Sequence, residues 1–263
     1  MNLTRYADRR ALVTGGGSGI GQATVLRLLA EGGTVVAADV SEAGLKDTEQ
    51  KAGAAADRLT TLVVDVADET SVRTGVAAAV TALGGLDVLV NAAGVLRSSH
   101  THETSLDAFE QVLRINLTGT FLMIRESVPA LLRGKDAAVV NFSSTSAAFA
   151  HPYMAAYAAS KGGIQSMTHA LASEYAKRGI RFTAVQPGSI SSGMTDGSGA
   201  SGRSRGPGLP EDADLSLFTK LAPAIGQGFA GPETVASVVA MLASEDGGFI
   251  TGTEIRVDGG THF

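Results

Sequence analysis

An α/β fold in three layers, with a doubly wound, seven-stranded and mostly parallel sheet at its centre, is what this 263-residue sequence predicts. Three observations carry the prediction. Short β-branched runs alternate with Ala-rich stretches of helical period along the chain, and such alternation implies parallel strands joined by right-handed crossovers. Runs such as "AAVVNF" at Ala137 to Phe142 are apolar nearly throughout, as strands covered on both faces should be. A glycine-rich turn lies directly between the first strand and the first helix.

Taken in order, Ala11 to Thr14 reads as the first strand and the stretch near 20–31 as the first helix. Thr34 to Ala38 is the second strand, followed by a helix near 42–54 for which Ser41 can supply the N-cap. Thr61 to Val64 and a helix near 68–82 complete the first half. Val88 to Asn91 leads into two helices, near 104–114 and 117–133. Ala137 to Phe142 is followed by a long helix near 154–178, then Arg181 to Gln186, a helix near 232–243, and a last strand at Glu254 to Val257. The segment from Ser189 to Gly231 departs from this rhythm: it is dense in Gly and Ser, then briefly helical around 212–221. So long an excursion within one compact domain over residues 1–263 is read as a substrate lid, the alternative being a flexible surface loop.

Composition removes several classes of function. With 44% hydrophobic and 18% charged residues the chain can bury a core, so it is neither disordered nor fibrous. Zero Cys removes thiolate catalysis, disulfides and Cys-ligated metals. The polar start and the lack of a long apolar run predict neither export signal nor membrane span, and a cytoplasmic location. A net charge of -5, scattered basic residues and no Trp argue against a nucleic-acid surface. His100 and His102 have no third ligand nearby and are expected to meet only solvent, so no metal is expected.

What the residues do suggest begins at Thr14-Gly15-Gly16-Gly17-Ser18-Gly19-Ile20-Gly21. Glycines between a strand and a helix let a pyrophosphate approach a helix N-terminus, although the strict G-x-G-x-x-G spacing fits in no register here. Asp39, at the end of the second strand, can accept both ribose hydroxyls of a dinucleotide, or could instead cap the next helix. Asp65-Val66 and Asn91-Ala92-Ala93-Gly94 follow the third and fourth strands, at the edge where doubly wound sheets bind ligands; ordinary turn chemistry would also account for them. Tyr157 and Lys161 stand four apart on one helix face. An alcohol losing hydride must also lose a proton; a phenol with a pKa of about 10 is a weak base at neutral pH, and an adjacent ammonium favours its ionised form. Ser143 and Ser144 end the fifth strand, and a hydroxyl there can bond the substrate oxygen.

Together with Pro187-Gly188, Ile250-Thr251-Gly252 and Val257-Asp258-Gly259-Gly260, these segments make the chain resemble the common short-chain dehydrogenase/reductase family over essentially its whole length. The glycine turn matches that family's Gly-x-x-x-Gly-x-Gly variant at Gly15, Gly19 and Gly21. The resemblance implies a single NAD(P)-binding Rossmann domain, with Gly15, Gly17, Ser18, Gly19, Ile20 and Gly21 at the cofactor, Asp65 and Val66 at its adenine, and Asn91, Ala92 and Gly94 lining the cleft. It selects Ser144 over Ser143 and implies that Lys161 also binds ribose with Tyr157. Asn116 would hold a water that relays protons through Lys161, or would be a helix N-cap. Pro187, Gly188 and Ile190 would border the nicotinamide, with Ser192 where relatives carry Thr to bind the carboxamide. Ser18 and Val40 stand where NADP-dependent relatives carry a basic residue, so with Asp39 the expected cofactor is NAD.

The implied reaction is oxidation of a secondary alcohol or reduction of a ketone, on a hydroxysteroid, 3-oxoacyl or similar apolar small molecule, by a homotetramer. Lyase or epimerase chemistry on the same fold, or a catalytically silent NAD-binding protein, are the alternatives. His151, Tyr153 and Met194 are expected at the substrate beside Ser144 and Tyr157, with Met154, Leu209, Leu215, Phe218 and Leu221 forming apolar walls or simple core. Arg203 and Arg205 could meet an anionic group, but read better as solvated charges.

Overall fold

The computed structural model describes residues 4–192, 194, 208–226 and 228–262. Its strands are β1 (Arg10–Thr14), β2 (Thr34–Asp39), β3 (Leu59–Val63), β4 (Val88–Asn91), β5 (Ala138–Phe142), β6 (Arg181–Pro187) and β7 (Thr253–Val257). They form a seven-stranded sheet in the order β3-β2-β1-β4-β5-β6-β7, and every pairing is parallel. The order reverses between β1 and β4, which opens a crevice at the carboxyl ends of the strands.

The helices are α1 (Gly19–Ala30), α2 (Glu42–Ala52), α3 (Glu69–Leu83), α4 (Leu106–Leu113), α5 (Gly119–Leu131), α6 (Ala155–Tyr175) and α7 (Pro232–Leu242). Successive strand residues point to opposite faces, and that alternation divides the core in two. Leu12, Val36, Leu89, Val139 and Phe182 pack with α3, α4, α5 and α6; Val13, Val35, Val90, Val140 and Val185 pack with α1, α2 and α7. Because both faces are covered, the inner strands carry apolar residues at consecutive positions, each fully buried one stabilising by about 1.5–3 kcal/mol. The edge strand β3 departs from this expectation. Val63, at its end, is 61% exposed.

Two further expectations change. The helices read as ending at 114 and starting at 117 are one rod: Arg114–Thr118 forms a π-helical turn joining α4 to α5. Residues expected to be helical around 212–221 form a 3-10 turn at Leu215–Leu221. The excursion leaves and returns at one point, where Ile190 bridges Ala230 and their neighbours exchange Ser191 N–H to Ala230 O (2.9 Å) and Ala230 N–H to Ser189 O (3.0 Å). Among the described residues no helix is long and apolar enough to cross a membrane, and no cluster of His, Asp and Glu is placed to hold a metal.

Candidate active site

A cleft of about 670 Å³ runs along the crevice. At one end it is walled by the glycine turn. Gly15 has φ 70, and a Cβ there would lie 2.8 Å from the Ala93 nitrogen, so the turn presses against the loop after β4. A Cβ on Gly21 would fall 2.1 Å from the Gly15 carbonyl oxygen. The turn therefore closes only with glycine at both places, and it delivers Ser18, Gly19, Ile20 and Gly21 to the cleft at the start of α1. Ser18, the N-cap, makes no side-chain capping bond, so its hydroxyl does not cover the first-turn N–H groups that suit a phosphate.

Asp39 lines this end, and its carboxylate is fixed in place: Oδ2 accepts from Gly17 N–H (3.0 Å) and Oδ1 from Ser41 N–H (2.8 Å). The cap of α2 is Ser41, which accepts from Gly44 N–H, so Asp39 is not spent on capping. Gly17 thus donates to Asp39 and, unlike its neighbours Ser18 and Gly19, lies outside the lining of the cleft. A Cβ there would lie 3.0 Å from the Asp39 carboxylate carbon. Asp65, Val66, Ala92 and Gly94 line the next stretch. Asn91 does not; fully buried, it donates to Asn141 Oδ1 (2.9 Å) across β4 and β5. The cradle is shaped for a dinucleotide: positive-φ glycines, a helix N-terminus and a held carboxylate in chain order.

At the middle of the cleft stand Ser144, Tyr157 and Lys161. Ser143 is separated from them in role, because its hydroxyl donates to Lys161 O (3.1 Å) in the backbone of α6. The Lys161 ammonium lies 5.6 Å from the Tyr157 ring centroid and donates to Phe142 O (2.7 Å). Burial pushes the Tyr157 phenol up to about 12, with a hydrogen bond from Ser144 drawing it part of the way back. Burial also pushes the Lys161 ammonium down to about 8. The expected lowering of the phenol by Lys161 is therefore not the dominant effect in this structure; desolvation of both groups is.

Asn116 lies in the π turn and is fully buried behind the cleft. Its Oδ1 accepts from Val95 N–H (2.8 Å), while Nδ2 donates to Val95 O (2.9 Å) and to Ser160 Oγ (3.0 Å). Ser160 in turn donates to Tyr157 O (2.7 Å). The side chain thus mimics a strand partner for the loop after β4 and ties it to the helix carrying Tyr157 and Lys161. The alternative of an N-cap does not hold, because the rod is continuous there.

The third region holds Pro187, Gly188, Ile190, Ser192, Met194, His151 and Met154, with Leu209, Phe218 and Leu221 from the excursion. Leu215 instead points to solvent at 66% exposure. Tyr153, expected at the substrate, is outside the lining. Its hydroxyl accepts from Asp214 N–H (2.9 Å), and its ring stacks with Phe218 (6.2 Å between centroids). His100 likewise does more than meet solvent, since Nε2 pairs with Asp212 Oδ1 at 2.8 Å and that bond raises its pKa. These two residues fasten the excursion. Arg203 and Arg205 lie outside the described residues. The sequence reading missed Thr145, Phe229, Thr261 and His262, all in the lining; the Val257-Asp258-Gly259-Gly260 turn was the available signal that the tail bends back.

Known proteins resemble this chain in sequence and fold. The family model described as short chain dehydrogenase matches residues 9–201. A 3-oxoacyl-(acyl-carrier-protein) reductase from Thermotoga maritima is 34% identical, over 97% of this chain and 98% of its own. Among solved structures, a short chain dehydrogenase from Mycobacterium paratuberculosis bound to NAD superposes with a TM-score of 0.88 at 30% identity, covering 98% of each chain. One from Burkholderia cenocepacia in complex with NADP gives 0.84 at 30% identity, over 98% of this chain and 99% of that one.

Proposed function

The chain belongs to the short-chain dehydrogenase family, and from that premise we propose that it is an NAD-dependent oxidoreductase interconverting a secondary alcohol and a ketone with an apolar body. The observation that carries this reading is the meeting of Ser144, Tyr157 and Lys161 in one cleft with the held carboxylate of Asp39. The nicotinamide, when bound, takes or gives the hydride. The chain's own residues handle the oxygen and its proton. Ser144 donates to the substrate oxygen, and Tyr157 takes the alcohol proton in oxidation or returns it in reduction. Lys161, in the same buried pocket, favours the ionised phenol and binds ribose with Tyr157. Asn116 positions both through Val95 and Ser160; its amide N–H groups and its Oδ1 are committed to those bonds, and the relay water would share an oxygen that already accepts one bond.

NAD is favoured because a 2′-phosphate would meet the fixed Asp39 carboxylate with no cation at Ser18 or Val40 to offset it. Gly15, Gly19, Ile20 and Gly21 take the pyrophosphate, Asp65, Val66, Ala92 and Gly94 the adenosine side, and Pro187, Gly188, Ile190 and Ser192 the nicotinamide. We read residues 189–231 as a lid over the substrate, a reading supported by Met194, Leu209, Phe218 and Leu221 in the cleft lining, and the whole chain as one domain. On sequence grounds we place the enzyme in the cytoplasm. The test is absorbance at the reduced-nicotinamide band with a panel of steroid, acyl, sugar and cyclic alcohols and each cofactor. Steady NADH formation supports the reading; no turnover of any alcohol or ketone with either cofactor overturns it.

A further inference from the structure

The far wall of the cleft is built by two histidines from opposite ends of the fold. His151 follows the strand end that carries Ser144, and its Nε2 is 3.1 Å from the Thr145 hydroxyl. His262 arrives on the tail after β7. There the Asp258 carboxylate accepts from Gly260 N–H (3.0 Å) and His262 N–H (3.2 Å), and Arg256 donates to the His262 carbonyl, which turns the chain back over the cleft. The His262 ring stacks flat on Phe149, with centroids 4.1 Å apart and planes within 1°, and lies 5.9 Å from the His151 ring. Its Nε2 is buried and finds no hydrogen-bond partner among the described residues. A buried polar atom without a partner costs free energy and calls for an explanation.

Charge narrows what such a wall can hold. Among the described lining residues Lys161 is the one Lys or Arg, and it already donates to Phe142 O; the two carboxylates, Asp39 and Asp65, sit at the nucleotide end. His151 is pushed down to about 4, first by burial and then by the neighbouring His262, so it is uncharged at neutral pH. An anionic substrate group would find no counter-charge here, whereas a neutral imidazole offers one ring nitrogen that donates and one that accepts a hydrogen bond. Around them, Met154, Met194, Phe218 and Leu221 are apolar.

We propose that His151 and His262 form a subsite for a second, uncharged oxygen, so that the substrate is a neutral ketone or alcohol bearing a carbonyl or hydroxyl group apart from the reacting one. This rests on the oxidoreductase reading above and adds a specificity determinant to it. A site built to bond such an oxygen discriminates strongly against the analogue lacking it, because the protein's own polar groups are then left unpaired.

The test compares matched ketones: cyclohexanone with cyclohexane-1,4-dione, hexan-3-one with ethyl 3-oxohexanoate, and 4-oxocyclohexanecarboxylate as the charged control. In the wild type the second oxygen is expected to lower KM by about tenfold or more, which corresponds to about 1.4 kcal/mol, with a smaller effect on kcat. His262→Ala and His151→Leu should collapse that KM ratio, and His151→Gln should restore part of it. A ratio unchanged in both variants overturns the subsite, as does preference for the carboxylate over the dione. Should no ketone be turned over, the reading of the enzyme fails, and the subsite is judged by saturation-transfer NMR of the dione. Stronger transfer in the wild type than in the variants supports it, and equal transfer overturns it.

Discussion

At the scale of single residues, Tyr157 concentrates the chemistry. Tyr157→Phe removes one oxygen from a buried ring, so folding and cofactor affinity should persist while turnover falls by about 10² to 10⁴, read as kcat at saturating substrate. The direction of its pKa shift fixes the pH dependence. A phenol raised to about 12 is protonated at neutral pH, ready to donate in ketone reduction; alcohol oxidation needs the deprotonated form. Oxidation rates should therefore climb with pH through the alkaline range while reduction rates do not, and an oxidation rate that is flat in pH would remove Tyr157 as the base. Asp39 gives a separate prediction. Asp39→Ala should narrow the preference for NAD, and the addition of Val40→Arg should turn it toward NADP, measured as the ratio of cofactor KM values. Tyr157, Lys161 and Asp39 were legible in the sequence because their signals are local: a one-turn spacing and a place at a strand end. Tyr153 was not, because its partner Asp214 is 61 residues away and only the folded chain brings them together. Tyr153→Phe should raise substrate KM by about two- to tenfold, the worth of one hydrogen bond, more than it alters kcat.

At the scale of elements, the strands were legible wherever the sheet buries them on both faces, since β1, β4 and β5 each carry three consecutive apolar residues, Ala11 to Val13, Val88 to Val90 and Ala138 to Val140. Edge strand β3 was shifted by two residues at its start, because half-exposed Leu59 and Thr60 carry no such signal. The π turn was illegible for a different reason. Asn116 reads as a capping residue by type, and only its pairing with Val95 reveals an extra residue in a continuous helix, a distortion common at functional sites. Asn116→Ala removes three side-chain hydrogen bonds from a buried site and should both destabilise the fold and lower kcat, whereas Asn116→Asp should rescue neither well, since it cannot donate to Val95 O and Ser160. Away from the cleft, Asp87 ties the amino ends of the sheet together. Its carboxylate accepts from the Arg10 backbone and guanidinium and from Lys135 N–H, and those bonds outweigh burial to hold its pKa below the usual range. A carboxylate with a depressed folded pKa stabilises above its unfolded value of about 4 and loses that contribution as pH falls further. Asp87→Ala should cost about 2–4 kcal/mol in urea unfolding at neutral pH, and the gap to wild type should shrink in acid.

At the scale of the whole molecule, large apolar side chains stand exposed on several elements, among them α4, α5 and the approach to β7. Leu106 and Phe121 project from α4 and α5 at 69% and 46% exposure, while Phe249 stands fully exposed just before β7, an edge strand with no further strand beyond it in the sheet. An uncovered edge and exposed large apolar side chains are liabilities in a folded chain unless another copy covers them. A tetramer built on two-fold axes needs two kinds of self-complementary contact, and the exposed small residues Ala155 and Ala159 on α6 leave room for helices to approach. We therefore expect light scattering at micromolar concentration to give about four times the 26.7 kDa chain mass. Phe121→Asp and Phe249→Asp should each leave dimers, and the double variant monomers. The two dimers should differ in function. The tail that carries Thr261 and His262 into the cleft begins where β7 ends, so loosening the β7 edge should raise substrate KM while the α4–α5 variant leaves it near the wild-type value. A wild-type mass of one chain, or dimers with identical kinetics, would break the link drawn between assembly and the substrate wall.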